Sequence, residues 1–266
     1  KPVWRARRPT GEAITQPRSG TDGANLKTTA RREGDHYVVN GQKMFITSGF
    51  RADYYTVAVR TGGPGMGGVS LLLIERDRPG FSRTKLRKMG WWASDTAQLF
   101  FDNVKVPVDN LIGPENAGFN GIMRNFNPER IMLAAGAYGF AKVCLEEAID
   151  YARQRETFGK PLIKNQVIRH KIVDMAMKVN AVKATLENLA LRVEQGEQPV
   201  AEICMLKNLS TTTLEWVANE AMQIFGGAGY LRGSKVERIY RETKVMSIGG
   251  GAIEIMKDLA ARQMGL

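Results

Sequence analysis

Histidine and cysteine are nearly absent from this chain: two of each stand among 266 residues. His36 and His170 cannot build a histidine-rich metal centre, and no metal site is expected. His170, between Arg169 and Lys171, reads as a surface residue. Cys144 and Cys204 lie far apart and match no metal-ligand or redox spacing. They read as buried thiols in a reducing compartment, not as a disulfide framework. Long apolar runs are missing as well. No stretch approaches the roughly 18–20 apolar residues that a membrane span needs. There is no Walker loop, no Gly-x-Ser-x-Gly elbow and no strand–glycine–helix dinucleotide fingerprint. Internal repeats and low-complexity segments are also lacking.

The charge balance is strongly positive, with a formal net charge of +11. The Lys and Arg residues are spread along the chain and mixed with acids. That dispersion argues against nucleic acid as a partner and fits a solvated surface with sites for phosphate-bearing ligands. The densest basic run is Lys1-Pro-Val-Trp-Arg5-Ala-Arg7-Arg8-Pro9. No apolar core follows it, so it is no secretory signal; a transit-peptide remnant is the other reading. The expected location is a bacterial cytoplasm or, in a eukaryote, the mitochondrial matrix. The length favours two structural units over one.

The period of the sequence changes midway. From about residue 12 to 112 the chain reads as strands. His36-Tyr-Val-Val39, Asn40-Gly41 and Met44-Phe-Ile-Thr47 predict a hairpin with its turn dipeptide. Tyr54 to Val59, Val69 to Ile74 and Gln98 to Val106 are further runs rich in β-branched and aromatic residues. In the second half, Ile131, Ala134, Tyr138, Ala141, Leu145, Ala148 and Ala152 recur at helical spacing. Ile168, Ile172, Met175, Val179, Val182, Leu186, Leu189 and Val193 form a second such stripe. A third helix is expected from about Val200 to Phe225, and shorter ones near Val236 to Val245 and Ile253 to Gln263. The expected fold class is α+β. A small antiparallel β-barrel or sandwich over residues 1–112 precedes an up-down four-helix bundle over residues 113–266.

Three segments carry candidate chemistry. Ala13-Ile14-Thr15-Gln16-Pro17-Arg18-Ser19-Gly20-Thr21-Asp22 packs hydroxyls, an amide and a glycine into one turn after a strand. Such a turn can present donors to a ligand, or be an ordinary turn. Met44-Phe45-Ile46-Thr47-Ser48-Gly49 is a second strand end of the same kind. Asn127-Pro128-Glu129-Arg130 is expected to open the first bundle helix, where proline costs nothing. Glu129 then has two readings: a carboxylate complementing the helix dipole, or a base beside an apolar stretch. Gly226-Gly227-Ala228-Gly229 is a helix end, with a C-cap as its plainest role.

Taken together these segments resemble the acyl-CoA dehydrogenase family. The loop Ala13–Asp22 and the strand Asn40-Gly41-Gln42-Lys43-Met44-Phe45-Ile46-Thr47 look like its two flavin-contacting segments. Lys88-Met-Gly-Trp-Trp-Ala-Ser-Asp-Thr96 resembles a segment linking its barrel strands. Tyr151-Ala-Arg-Gln-Arg155-Glu-Thr-Phe158-Gly-Lys-Pro161 resembles its bundle signature. Gln223-Ile-Phe-Gly-Gly227 and Ile248-Gly-Gly-Gly-Ala-Ile-Glu254 resemble its closing motifs. The match runs from about residue 12 to the end.

The resemblance implies an FAD enzyme that oxidises the Cα–Cβ bond of a branched- or long-chain acyl-CoA. A carboxylate takes the α proton while the β hydride passes to flavin N5. In most members that carboxylate lies in the late loop, where this chain has Gly250. A second group, including the isovaleryl and long-chain enzymes, carries it on the bundle helix just before an Arg. Glu129-Arg130 matches that arrangement, so Glu129 is the expected base and Glu254 its rival. Ile14, Thr15, Gly20, Thr21, Phe45, Ile46 and Thr47 are carried over to the isoalloxazine side. Arg155, Phe158, Gln166, Gln223, Gly226 and Gly227 go to the adenine and pyrophosphate end, across a subunit interface. Ala252 and Glu254 are placed beside the flavin, and Thr21, Arg130, Gly250 and Gly251 at the substrate. The implied partner is an electron-transferring flavoprotein and the implied assembly a homotetramer.

Departures are specific. Gln16 stands where the family usually has Glu, and Ala252 where it has Thr. The family's N-terminal helical domain is expected to be absent from this sequence. Two rival classes remain: a non-catalytic acyl-CoA or flavin-binding module, and an acyl-CoA oxidase. Reduction of an artificial acceptor by acyl-CoA argues against the first, and peroxide formed in air argues for the second.

Overall fold

The computed structural model describes residues 9–266. The basic run Lys1–Arg8 lies outside the described residues. The chain forms two compact units, residues 1–124 and 125–266, one built of sheet and the other of helices.

The sheet unit contains β1 (Thr10–Ala13), β2 (Thr29–Glu33), β3 (His36–Thr47), β4 (Tyr54–Arg60), β5 (Val69–Glu75), β6 (Phe81–Lys85), β7 (Thr96–Pro107) and β8 (Leu111–Ile112). The ladder runs β6-β7-β3-β2-β4-β5-β8, and β1 joins it on β4. Alternate residues point inward, as a half-buried strand requires. Tyr55, Val57 and Val59 of β4 meet Leu72 and Ile74 of β5 and Leu99 and Phe101 of β7 in one core. The Phe81 ring lies 5.0 Å from that of Tyr55 and 5.2 Å from that of Phe101, closing the cluster at the β6 end.

Two expectations are corrected here. The sheet is not purely antiparallel, because β1 and β2 both pair with β4 in parallel. The expected hairpin at Asn40-Gly41 is not a turn: residues 36–47 form one strand, bulged against β7 between Val39 and Gly41. The reason is local packing. Gly41 has φ +139°, and a Cβ there would lie 2.7 Å from Thr28 Cα. The glycine serves close backbone approach at a bulge. The actual hairpin turn is Gly34-Asp35, earlier in the chain, joining β2 to β3.

The helical unit holds α2 (Gln166–Glu194), α3 (Val200–Phe225), α4 (Gly227–Tyr230), α5 (Lys235–Ile248) and α6 (Ile253–Gln263). A short hairpin of β9 (Glu156–Thr157) and β10 (Lys160–Pro161) precedes α2. The helix α1 (Gly118–Gln154) enters the unit from its N-terminal side. The buried face of α1 is a stripe of small residues, Ala134, Ala137, Ala141, Cys144, Ala148 and Ala152. Ala134 packs with Leu189 of α2 and Leu206 of α3. Central α3 contacts α2, α5 and α6, which is why Ile203, Leu206, Leu214, Val217, Ala221 and Ile224 are all buried. Among the described residues, no helix is long and apolar enough to cross a membrane.

One expectation about α1 fails. The helix does not open at Asn127-Pro128 but at Gly118, and Pro128 lies inside it. The first turns are rich in Gly and Asn, poor helix formers that hide them from a propensity reading. Pro128 has no N–H for the carbonyl of Arg124, so the ladder is interrupted at that bond. The division between the two units falls at Arg124 and Asn125.

Candidate functional site

In the sheet unit, the loop after β1 is fastened to β3 at consecutive residues. Lys43 Nζ donates to the carbonyl of Ile14 at 2.8 Å, and Met44 N–H to that of Thr15 at 2.9 Å. Further along, Lys27 N–H donates to Gln16 Oε1 at 2.9 Å, and the Ser19 hydroxyl to the carbonyl of Asp22. Arg60 finishes the job at the far end, donating to the carbonyls of Ala24 at 2.5 Å and Leu26 at 3.0 Å. The loop's carbonyls are thus drawn inward by two cations. Gly20 and Thr21 are left exposed at the surface.

The second strand end sits beside this loop. Phe45 has φ +61° and Ser48 φ +57°, a region that costs a non-glycine residue on the order of 1 kcal/mol. Phe45 is 67% exposed despite that backbone. Its neighbour Ile46 faces the other way, into the sheet core. The Ile46 side chain packs with the core, so its backbone is the part left for a ligand. Asp95 ties the 88–96 segment to this end. Its carbonyl accepts Ser48 N–H at 2.9 Å, and its carboxylate accepts Phe50 N–H at 2.7 Å and pairs with Arg51 at 3.0 Å. A cleft lined by Leu71, Ile112, Pro114, Gly121, Met123 and Arg124 includes none of the expected site residues.

In the helical unit, Glu129 is half-buried and its Oε1 accepts a hydrogen bond from Asn125 Nδ2 at 2.8 Å. Because α1 begins at Gly118, Glu129 is not at a helix N-terminus, and the dipole reading falls. Arg130 is buried. It donates to the Gly250 carbonyl at 3.2 Å and to Asn127 Oδ1 at 3.1 Å, and covers the Phe126 ring at 5.3 Å. Burial pulls its pKa below the usual arginine value. From α3, fully buried Lys207 donates to the carbonyls of Gly251 at 2.7 Å and Ser247 at 3.2 Å. Burial, with the Arg130 charge next in weight, lowers the Lys207 pKa to about 8.

The turn between α5 and α6 is therefore gripped from two helices. Gly250 has φ +67°, and a Cβ there would lie 2.4 Å from Leu133 Cδ1. The structure thus brings Arg130 against the Gly250–Gly251 turn, with Glu129 preceding Arg130 on α1. Ala252 caps α6, and Glu254 is exposed in its first turn.

The remaining expected residues collect where α1 and α3 end. Tyr151 stacks on Phe225, centroids 4.2 Å apart and planes 15° from parallel. That contact holds the end of α1 against the end of α3, where Gln223, Gly226 and Gly227 lie, and exposed Arg155 and the β9–β10 hairpin follow α1 in the chain. Phe158 and Gly159 form the hairpin tip, both at positive φ, as a type I′ turn demands. Phe158 is fully exposed. Gln166 opens α2. Lys43, Arg60, Asp95, Asn125 and Lys207 were not anticipated. A lysine inside an otherwise apolar strand or helix face was the available signal for Lys43 and Lys207.

Comparison with known proteins decides the family. The model described as "Acyl-CoA dehydrogenase, middle domain" matches residues 11–104, and that of the "Acyl-CoA dehydrogenase, C-terminal domain" matches residues 116–265. The chain belongs to the acyl-CoA dehydrogenase family. It is 41% identical over 261 residues to the acyl-CoA dehydrogenase AFT10-1 of Alternaria alternata, covering 94% of this chain and 60% of that protein. It superposes with TM-score 0.98 and 50% identity on a probable acyl-CoA dehydrogenase of Mycobacterium abscessus, covering 99% of this chain and 70% of the other. A chain in the structure of the electron transferring flavoprotein of Acidaminococcus fermentans superposes with TM-score 0.95 and 34% identity, at 99% and 70% coverage. The family's cofactor is FAD. The residues present suit it: Phe45 offers an exposed ring on a costly backbone, next to a loop whose carbonyls are turned away. Both are features a flat, acceptor-rich cofactor can use.

Proposed function

We propose that this protein oxidises the Cα–Cβ bond of a branched- or long-chain acyl-CoA to the trans-2-enoyl-CoA. FAD, when bound, supplies the acceptor for the β hydride. Glu129 removes the α proton as general base. The observation that carries this reading is the pairing of Glu129-Arg130 with Gly250. The place where many relatives hold their carboxylate is a glycine, tied through its carbonyl to the residue beside Glu129. Arg130 and Lys207 fix the turn, and Thr21, Gly250 and Gly251 are read as substrate contacts.

Ile14, Thr15, Gly20, Phe45 and Thr47, with the Ile46 backbone, are read as isoalloxazine contacts. Arg155, Phe158, Gln166, Gln223, Gly226 and Gly227 are read as contacts to the adenine and pyrophosphate end. A guanidinium such as that of Arg155 suits a pyrophosphate because it pairs bidentately. Ala252 and Glu254 are assigned beside the cofactor. The sheet unit is read as the family's small barrel and the helices as a four-helix bundle, four copies of which assemble. The likeness to a chain from an electron transferring flavoprotein structure supports such a flavoprotein as electron acceptor.

The test is a panel of acyl-CoA substrates on the intact, FAD-loaded protein and its Glu129→Gln variant. A general base is worth about 10²–10⁴-fold, so turnover on the best substrate should fall by that factor while FAD stays bound. Near-normal turnover in the variant would remove Glu129 from the mechanism.

A further inference from the structure

Lys43 is fully buried on β3. Its Nζ reaches the Ile14 carbonyl at 2.8 Å. Among the described residues no acid forms an ion pair with it, and burial pulls its pKa to about 7. A buried ammonium held by a carbonyl is costly, and an apolar residue of similar volume generally gives the more stable fold. Packing alone therefore does not account for a lysine here. Its position does suggest a role. The bond to Ile14 O is adjacent to that from Met44 N–H to Thr15 O. Together they lock the first residues of the exposed loop to the strand that two residues later turns Phe45 outward.

We propose that Lys43 is a positioning residue for bound FAD: it pins the Ile14 carbonyl to β3, holds the 14–21 loop in register with Phe45–Thr47, and places a positive charge behind that surface. This rests on the reading of those two segments as the FAD contact. The pinning preorganises the loop, so FAD binding need not order it. Below about pH 7, where Lys43 carries its proton, the charge favours the negative charge that reduction adds, and so raises the potential of the cofactor.

The test compares FAD-loaded wild type with Lys43→Met and Lys43→Arg. Three quantities are measured: FAD dissociation constant, midpoint potential of the bound cofactor, and thermal midpoint of the apoprotein. Lys43→Met should weaken FAD binding at least about tenfold and lower the potential, with an apoprotein thermal midpoint unchanged or raised. Lys43→Arg should recover much of the potential. Wild-type affinity and potential in Lys43→Met would overturn the proposal and leave the FAD reading intact. Failure of the wild type to bind FAD would overturn both. If Lys43→Met does not fold, Lys43→Gln against Lys43→Arg decides: a lower potential in the Gln variant supports the charge, and equal potentials refute it.

Discussion

Each of the two units buries one lysine completely, and each lysine grips the loop expected to meet a ligand. The resemblance ends there. Lys43 in the sheet unit holds one carbonyl and has no charged neighbour that offsets its burial. Lys207 in the helical unit holds two carbonyls, with Arg130 repelling it and Glu215 attracting it. A strand can fasten a loop that leaves its own neighbour by backbone pairing, and needs one extra point. A turn joining two helices has no ladder to borrow, so it is clamped from α1 and α3 at once.

The largest expected effect is on the pH dependence of stability. Both lysines have folded pKa values below the unfolded value, Lys43 at about 7 and Lys207 at about 8 against 10.5. The unfolded chain therefore binds more protons between those limits. Stability rises with pH from about 7 upward, and the cost of burying the charges is fully present below it. Each lysine contributes a slope of at most about 1.4 kcal/mol per pH unit. Urea unfolding of wild type and of each Lys→Met variant between pH 7 and pH 8.5 isolates the two slopes. Identical slopes in wild type and Lys43→Met would mean that Lys43 does not titrate in that range.

Next in size is the number of carbonyls released. An unsatisfied buried acceptor costs about 1–3 kcal/mol. Lys207→Met frees two and Lys43→Met one, while each variant is also relieved of a buried charge, so Lys207→Met should be the less stable of the two at neutral pH. The reverse order would break the view that Lys207 clamps the turn. Smaller still is Gly250→Ala. An L-residue at φ +67° costs about 1–2 kcal/mol, and Leu133 must also move. No loss of stability in that variant would show that the clamp alone sets the turn, whatever residue it holds.

Legibility in the sequence also differed between the units. Helical periodicity placed α2 and α3 to within a residue or two, because long amphipathic helices carry their packing in their spacing. The start of α1 was hidden by Gly118, Asn120 and Gly121, which only tertiary contacts make helical. In the sheet unit, Asn40-Gly41 imitated a turn because this bulge, like many tight turns, uses a glycine at positive φ. The loops proposed to meet the ligand were legible by resemblance, and Arg130 does reach Gly250. The buried cations behind them were harder to read, since a lysine on an apolar strand or helix face is the one local signal and it does not say what the ammonium holds.

The smallest predicted effect concerns the aim of Glu129. Asn125 and Glu129 are one turn apart on α1, at the place where Pro128 breaks the ladder. An exposed pair at this spacing stabilises a helix by about 0.2–0.5 kcal/mol, so Asn125→Ala should barely change stability. If Glu129 is the base, as proposed, the consequence for the reaction depends on which of its oxygens acts. Oε1 is occupied by the amide, which leaves Oε2 as the free acceptor for an α proton. Without Asn125 the carboxylate can rotate, and turnover should fall by less than about tenfold, with the shallower loss in kcat that a misaimed base gives. A loss as large as that of Glu129→Gln would instead place Asn125 itself at the reacting atoms, and the comparison of a one-carboxylate site with its clamped turn would have to be redrawn around both residues.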